Sequence, residues 1–449
     1  MFMTRAFRRV LLCVTLTVAI SAAALAADHK SPVATLDPHS GDCVVFLGDS
    51  ITHQRLYTQY VEDFFFTRFP AKRVQFHNAG VGGAQAWDAL ERFDRDVAAY
   101  KPKYVTVLLG MNDGRYKPFD EAIWTKYFSD MTKLVGRITE IQAVPILMTP
   151  TMYDSRASLN RKRQPAEHYN SVLAYYGTWL REVAVTDGYG FVDMWGPLNN
   201  ITIQQRKTDP EFTLIADAVH PDAPGQLVMA YAIIEDMGLR GGVSNIRAIV
   251  TPDGPARVTG TGGEATEIEY VDGSLAFTWS ATCLPWVVPR EAQPGAALLK
   301  LGHRAGREGF GVNGLAPGGY ELSIDGQPVG VFSDLQLARQ VELQDNSSTP
   351  QYNQALQVAE LNKQRNEGPI GKLRGEWGQF QQFARVRQQV MDAPNDEKLT
   401  AQLDALTKRV EGMEDRIKAC EAAAKEIEDK IFESNQPKPR RYVLKRVEG

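Results

Sequence analysis

At 449 residues the chain has room for two or three domains, and 43% hydrophobic with 9% aromatic residues is the balance of a globular protein. Its 50 Lys and Arg against 54 Asp and Glu give a formal charge of −4, which argues against nucleic acid or an anionic membrane surface as a partner. The first element is a leader. Arg5, Arg8 and Arg9 precede an apolar run from Val10 to Ile20, and Ala24-Leu25-Ala26 offers a small-x-small cleavage pattern. Residues 1–26 are therefore read as a signal peptide, with a secreted, periplasmic or cell-envelope destination. The run is short for a membrane anchor, and no integral membrane segment is expected after cleavage. Loss of the three arginines takes the formal charge from −4 to −7. Cys43, Cys283 and Cys420 remain, far apart and odd in number, so no disulfide is expected.

From about residue 40 to 240, short apolar strands alternate with amphipathic helices. The strands are read at Cys43–Leu47, Val74–His77, Tyr104–Leu109, Val144–Met148 and Phe191–Asp193. Helical patterns lie at Tyr57–Phe69, Ala86–Tyr100, Phe119–Ile141, Glu167–Thr186 and Gly225–Met237. Such alternation predicts an α/β fold, a three-layer α/β/α (flavodoxin-like) parallel sheet with its site at the strands' carboxyl ends. Residues 245–345 are rich in Gly and Pro, with alternating segments flanking Asp272-Gly273 and Asp325-Gly326. Asp-Gly between alternating runs is a hairpin signal, so a small β-rich domain follows.

Residues 349–434 read as a helical region. A heptad runs through Leu399, Leu403, Leu406, Val410, Met413, Ile417, Cys420, Ala424, Ile427 and Ile431. Two readings stand. One is a homodimeric parallel coiled coil through residues 399–431, with Arg409 and Arg416 meeting Glu414 and Glu421 of a partner. The other is an intramolecular hairpin against the helix Trp377–Val390. Residues 435–449 read as a basic, mobile tail.

The chemistry gathers at strand ends. Ser50 follows the first strand through Gly48-Asp49, at a helix start whose unpaired N–H groups favour negative charge. Asn78-Ala79-Gly80-Val81-Gly82-Gly83 follows the second strand and can aim a backbone N–H at a substrate. Gly110-Met111-Asn112-Asp113 follows the third, and its carboxamide can donate to developing charge. Asp217 stands three residues before His220, placed to orient one ring nitrogen and leave the other as a base. The glycine loop after the second strand is not Gly-x-Gly-x-x-Gly, since Gln85 takes its last slot, and no Gly-x-Ser-x-Gly surrounds Ser50, so neither the dinucleotide nor the α/β-hydrolase template applies there.

These four blocks, in this order, resemble the SGNH (GDSL-type) serine hydrolase family over residues 42–238, with Ile51 where many members carry Leu. The resemblance implies Ser50 as nucleophile, His220 as general base and then acid, and Asp217 as its orienting carboxylate. It implies an oxyanion hole from the Ser50 N–H, the Gly83 N–H and the Asn112 side chain. The neighbouring Gly80 and Gly82 leave the Gly83 match open by one position.

No metal or other cofactor is expected, since no His, Cys, Asp and Glu cluster has ligand spacing. His53, His77 and His168 read as packing or surface residues. Trp87, Tyr116, Tyr153 and Trp195 follow strand ends and are candidate pocket residues. The family spans carbohydrate acetylesterases, lipases, lysophospholipases and thioesterases. Without a long apolar lid, and with an export leader, the reading is removal of short acyl groups, O-acetyl foremost, from an extracellular glycan. Against it stands a non-catalytic scaffold in which the coiled coil is the working part.

Overall fold

Six consecutive buried residues, Cys43–Gly48, form an interior strand (β1) of a parallel sheet in the computed structural model, which describes residues 30–157, 166, 168–251 and 254–447. A strand paired on both edges and covered on both faces has no use for polar alternation, hence Cys-Val-Val-Phe-Leu-Gly. The leader read at 1–26 lies outside the described residues. Around β1 run α1 (Ser50–His53), α2 (Leu56–Arg68), β2 (Gln75–Gly80), α3 (Ala86–Asp96) and β3 (Tyr104–Leu108). Then come α4 (Glu121–Glu140), β4 (Val144–Met148), α5 (Tyr169–Asp187), β5 (Gly190–Val192), α6 (Trp195–Gln205) and α7 (Ala223–Asp236).

The strand order is β2-β1-β3-β4-β5, all parallel, which is the flavodoxin-like order. Helices flank the sheet: α2 packs on α7, while α4 lies against α3 and, through an aromatic cluster of Trp124, Tyr176 and Trp179, against α5. Register decides where the site forms. Gly48 pairs with Gly80 on one side and Leu108 on the other, so β1, β2 and β3 end level. The loops after them therefore emerge together.

The chain continues as β6 (Ser244–Thr251), β7 (Gly254–Thr261), β8 (Gly263–Val271), β9 (Ser274–Ala281), α8 (Gln293–Leu299), α9 (Leu301–Ala305) and β10 (Glu308–Asn313). After these come β11 (Gly319–Ile324), β12 (Gln327–Ser333), α10 (Asp334–Arg339) and β13 (Val341–Glu342). The last elements are α11 (Pro350–Arg365), α12 (Gly371–Asp392), α13 (Glu397–Val410), α14 (Met413–Ser434) and β14 (Arg440–Arg446). Two sheets, β13-β10-β6-β7 and β12-β11-β14-β9-β8, enclose a separate apolar core around Ile246, Phe277, Phe310 and Tyr442. Both Asp-Gly hairpins form, with φ of 50° and 74° at Asp272-Gly273 and 51° and 78° at Asp325-Gly326. Those angles are type I′ turns, which match strand twist.

Three expectations need correction. The 435–449 tail is not a mobile tail, because β14 lies between β11 and β9 in the middle of a sheet. Tyr442 and Leu444 point into the core, while Arg440 and Arg441 are held by Asp325 and Glu269. The 245–345 segment is β-rich as read, but not all of it belongs to the β domain. Trp286, Val288, Ala292, Leu299 and Leu301 join the core of the parallel-sheet domain, and α8 packs on α7. Finally, the heptad is not one helix. Gly412, at φ 67°, separates α13 from α14. The pair packs on α11 and α12 of the same chain. Glu414 meets Arg95, Glu421 accepts from Tyr100 and Arg416 meets Glu376. The seam offered to a second chain is thus occupied within this one.

Candidate active site

Ser50 is the first residue of α1, reached from β1 through Gly48 and Asp49. The helix approaches the sheet so closely that a Cβ on Gly48 would lie 2.1 Å from Thr52 Oγ1. A Cβ on Gly80 would lie 2.3 Å from the His53 nitrogen, so both strand ends require glycine. Asp49 caps α1 by accepting the Ile51 N–H at 2.9 Å. The Ser50 N–H donates to no other described residue.

Asp217 and His220 lie on the loop before α7. Asp217 Oδ1 accepts the N–H groups of Val219 and His220 at 2.9 and 2.7 Å, folding the loop back on its own carboxylate. Oδ2 lies 2.7 Å from His220 Nδ1, and His220 Nε2 lies 2.8 Å from Ser50 Oγ. With the Nδ1–H donating to the carboxylate, Nε2 is the acceptor for the serine hydroxyl. Burial pushes the Asp217 carboxyl up, but hydrogen bonds from the His220 ring and the two backbone N–H groups outweigh it and hold it at about 2. The arrangement can remove the Ser50 proton and stabilise the imidazolium that results.

Three supports escape a reading of sequence motifs. Ala218 sits at φ 73°, a conformation costly for a non-glycine residue, and its carbonyl accepts the Asp154 N–H at 3.0 Å. The Asp154 carboxylate is itself held by Arg206 at 2.7 Å and Thr213 at 2.6 Å. Gln226, buried on α7, accepts the Tyr57 N–H at 3.1 Å and donates to Gln54 at 2.6 Å and, at 3.4 Å, to the Pro221 carbonyl. It ties the segment that follows the serine to the histidine loop. An isolated glutamine or Asp-Arg pair carries no sequence signal for such a role.

Asn112 follows β3. Its Nδ2 donates to the Ala84 carbonyl at 3.1 Å and faces Asp49 Oδ2 at 3.4 Å, while its Oδ1 accepts from Tyr116 at 3.2 Å. The longer contact is the one a developing oxyanion could take over. Gly83, at φ 69°, sits in the turn after β2 beside it. Two carboxyls lie behind these donors: burial pushes Asp49 and Asp113 up to about 7. Asp113 accepts the Ala86 N–H at 2.8 Å and so fixes the start of α3.

The candidate pocket residues divide. Tyr116 bonds Asn112, and its ring packs against Tyr153 and Tyr169. Arg115 and Tyr116 both have positive φ, 54° and 55°, so this turn stores strain beside the site. Trp87 is half-buried in the first turn of α3. Trp195 goes elsewhere: it donates to Asn170 at 2.9 Å and lines a cavity of about 470 Å³ with Thr149, Arg181 and Asp193, not with Ser50 or His220. The other histidines differ too. His77 does have an aspartate, Asp96, at 2.9 Å, supplied from 19 residues away. Among the described residues no group of three or more His, Cys, Asp or Glu could hold a metal ion, and no helix is long and apolar enough to cross a membrane.

Residues 46–228 match the model of the GDSL-like lipase/acylhydrolase family. The acetylxylan esterase of Geobacillus stearothermophilus is 24% identical over 221 residues, which cover 44% of this chain and 95% of that relative. A solved structure described as BT4096, a gut microbial diltiazem-metabolizing enzyme, is similar with a TM-score of 0.77 at 26% identity. That likeness covers 92% of this chain and 100% of the other, so it takes in the β and helical regions as well.

Proposed function

Residues 46–228 are a GDSL-like acylhydrolase domain, which makes the chain an ester-hydrolysing serine hydrolase, and from that premise we propose that it removes acetyl groups from carbohydrate hydroxyls through an acyl-enzyme at Ser50. The observation that carries the proposal is the unbroken chain Asp217–His220–Ser50, with contacts of 2.7 and 2.8 Å. As Ser50 Oγ attacks the ester carbonyl, His220 Nε2 takes the hydroxyl proton and Asp217 stabilises the imidazolium. The same proton passes to the leaving alcohol, giving acyl-Ser50. Water, deprotonated by His220, then attacks the acyl carbon, and His220 returns the proton to Ser50 Oγ as its bond to the acyl carbon breaks and the acid leaves.

The negative oxygen of each tetrahedral intermediate is received by the Ser50 and Gly83 N–H groups and by Asn112 Nδ2. Acetyl on sugar is favoured over long acyl chains by the acetylxylan esterase relative and by the half-exposed Tyr116 and Trp87 near the strand ends. Export is proposed from the leader at 1–26, and fractionation of expressing cells tests it.

Hydrolysis of 4-nitrophenyl acetate and labelling by a fluorophosphonate test the chemistry. Ser50→Ala is expected to lose roughly 10⁶-fold in kcat, the scale for removal of a serine nucleophile, together with all labelling. Equal inactivity of wild type and variant, without labelling, overturns the enzyme reading in favour of a scaffold. Acetylated xylan and acetate esters are expected to outpace octanoate esters. The reverse order moves the substrate to the lipase or thioesterase class.

A further inference from the structure

We infer that Gln381, on α12 and 299 residues from the loop it touches, is a positioning residue for catalysis that sets the direction of the Gly83 N–H. The inference rests on the reading of Gly83 as an oxyanion donor.

Val81–Ala84 is a turn closed by the Ala84 N–H on the Val81 carbonyl at 3.2 Å. Gly83 is its third residue, and φ of 69° there is the mark of a type II turn. Types I and II differ by a flip of the central peptide, which here carries the Gly82 carbonyl and the Gly83 N–H. Because that peptide is planar and trans, the two groups point in opposite directions, and fixing one fixes the other. Packing does not choose between the two orientations, since Gly82 and Gly83 have no side chains and a Cβ on either would meet nothing within 4 Å.

The choice comes from α12. Gln381 Nε2 donates to the Gly82 carbonyl at 2.9 Å. Arg385 Nη2 donates to the Gly83 carbonyl at 2.7 Å, and Arg374 Nε to the Gly80 carbonyl at 2.9 Å. Residues 374, 381 and 385 are spaced by seven and four, so one helix face grips three carbonyls of the loop.

The two arginines are themselves locked. Arg385 makes a two-point contact with Asp88, at 2.7 Å on both oxygens, and Arg374 makes one with Asp96 at 2.8 and 2.7 Å. With its carbonyl held by the helix, the 82–83 peptide turns the Gly83 N–H away from α12, where it donates to no other described residue. Donation to the carbonyl also polarises the peptide and strengthens its N–H as a donor. The carboxyl-terminal helices thus complete the proposed oxyanion hole from outside the domain that bears the motif.

The test is Gln381→Met in the full chain, which keeps the length of the side chain and removes the donor. Active sites are titrated to completion with a fluorophosphonate, and kcat on 4-nitrophenyl acetate is expressed per titrated site. One oxyanion donor is worth about 10²–10³ in turnover, so misdirecting it is expected to lower kcat about tenfold or more with KM nearly unchanged. Arg385→Met is expected to lower kcat as well, and Arg385→Lys, which keeps a donor for the Gly83 carbonyl, to recover most of it. A wild-type kcat per site in Gln381→Met, while Asn112→Ala loses about 10²-fold, overturns the role of α12 and leaves the oxyanion hole standing. A loss confined to the number of titratable sites overturns it too. If Asn112→Ala and Gln381→Met both keep the wild-type kcat, the oxyanion-hole reading itself falls and takes this inference with it.

Discussion

Among the described residues, two short aspartate–histidine pairs are of nearly equal length, and their surroundings separate a proposed base from a strut. Asp217 and His220 are 2.7 Å apart, with side chains 45% and 29% exposed. The far nitrogen of His220 meets a serine hydroxyl. Asp96 and His77 are 2.9 Å apart, with side chains 0% and 6% exposed. There the carboxylate also receives Arg374 twice and Arg92 once, and the imidazole lies stacked on Tyr100 with ring centres 3.5 Å apart. Burial pushes Asp96 up, yet Arg374, His77 and Arg92 together hold it well below the usual carboxylate range. Arg92 and Arg374 also bond the Gly48 and Gly80 carbonyls, so the buried pair anchors the two strand ends from which the site emerges. A short Asp–His contact is therefore not itself a catalytic feature. The group at the second nitrogen and the access of that nitrogen to substrate decide the role.

Substituting each aspartate breaks the comparison cleanly. Asp217→Asn presents an amide N–H to His220 Nδ1, which favours the tautomer with its proton on Nε2 and leaves nothing to accept the serine proton. The expected loss is about 10⁴-fold in kcat on 4-nitrophenyl acetate, with the thermal midpoint close to wild type. Asp96→Ala should do the opposite in kind. It leaves two buried guanidinium groups without their carboxylate, at an expected cost of about 3–5 kcal/mol, read as a fall in the denaturation midpoint. A retained midpoint in Asp96→Ala would show that the second pair is not the anchor described.

How much of this the sequence discloses follows from how local each interaction is. The site motifs are readable because Asp217 and His220 lie within one loop and Ser50 closely follows a strand of unbroken apolar character. Both Asp-Gly hairpins and the strand Val144–Met148 are readable for the same reason. The Asp96 cluster is not. Arg374 comes from 278 residues away, and an arginine on a helix ordinarily reads as solvent-facing. Helix α2 likewise lacks one apolar face, because Glu62 and Asp63 are buried against Arg365 and Asn362 of α11. Strand β14 reads as a basic tail because its cations are answered by Asp325 and Glu269, 115 and 172 residues away. Its alternating Tyr442 and Leu444 were the available signal, as Gly412 was for the break in the heptad.

A third buried carboxylate sharpens the contrast through pH. Asp113, like Asp49, is buried without a guanidinium partner among its described contacts, and burial pushes it up to about 7, helped by the charge of Asp88. A folded-state value above the ordinary 3.8 means that its contribution to stability is complete below about pH 4 and is lost as pH rises through about 7. Asp96 has the opposite sign: its contribution is present above about pH 4 and fades as pH falls. Stability measured by denaturant titration is thus expected to fall between pH 5 and 7 by about 1 kcal/mol per pH unit for each such carboxyl. Asp113→Asn keeps an oxygen for the Ala86 N–H and has no proton to lose, so its profile should be flatter over that range by one carboxyl's share. If wild type and Asp113→Asn lose stability in parallel from pH 5 to 7, Asp113 is charged throughout. The buried carboxyls behind the proposed oxyanion donors then have a counter-charge that sets them beside Asp96 rather than against it.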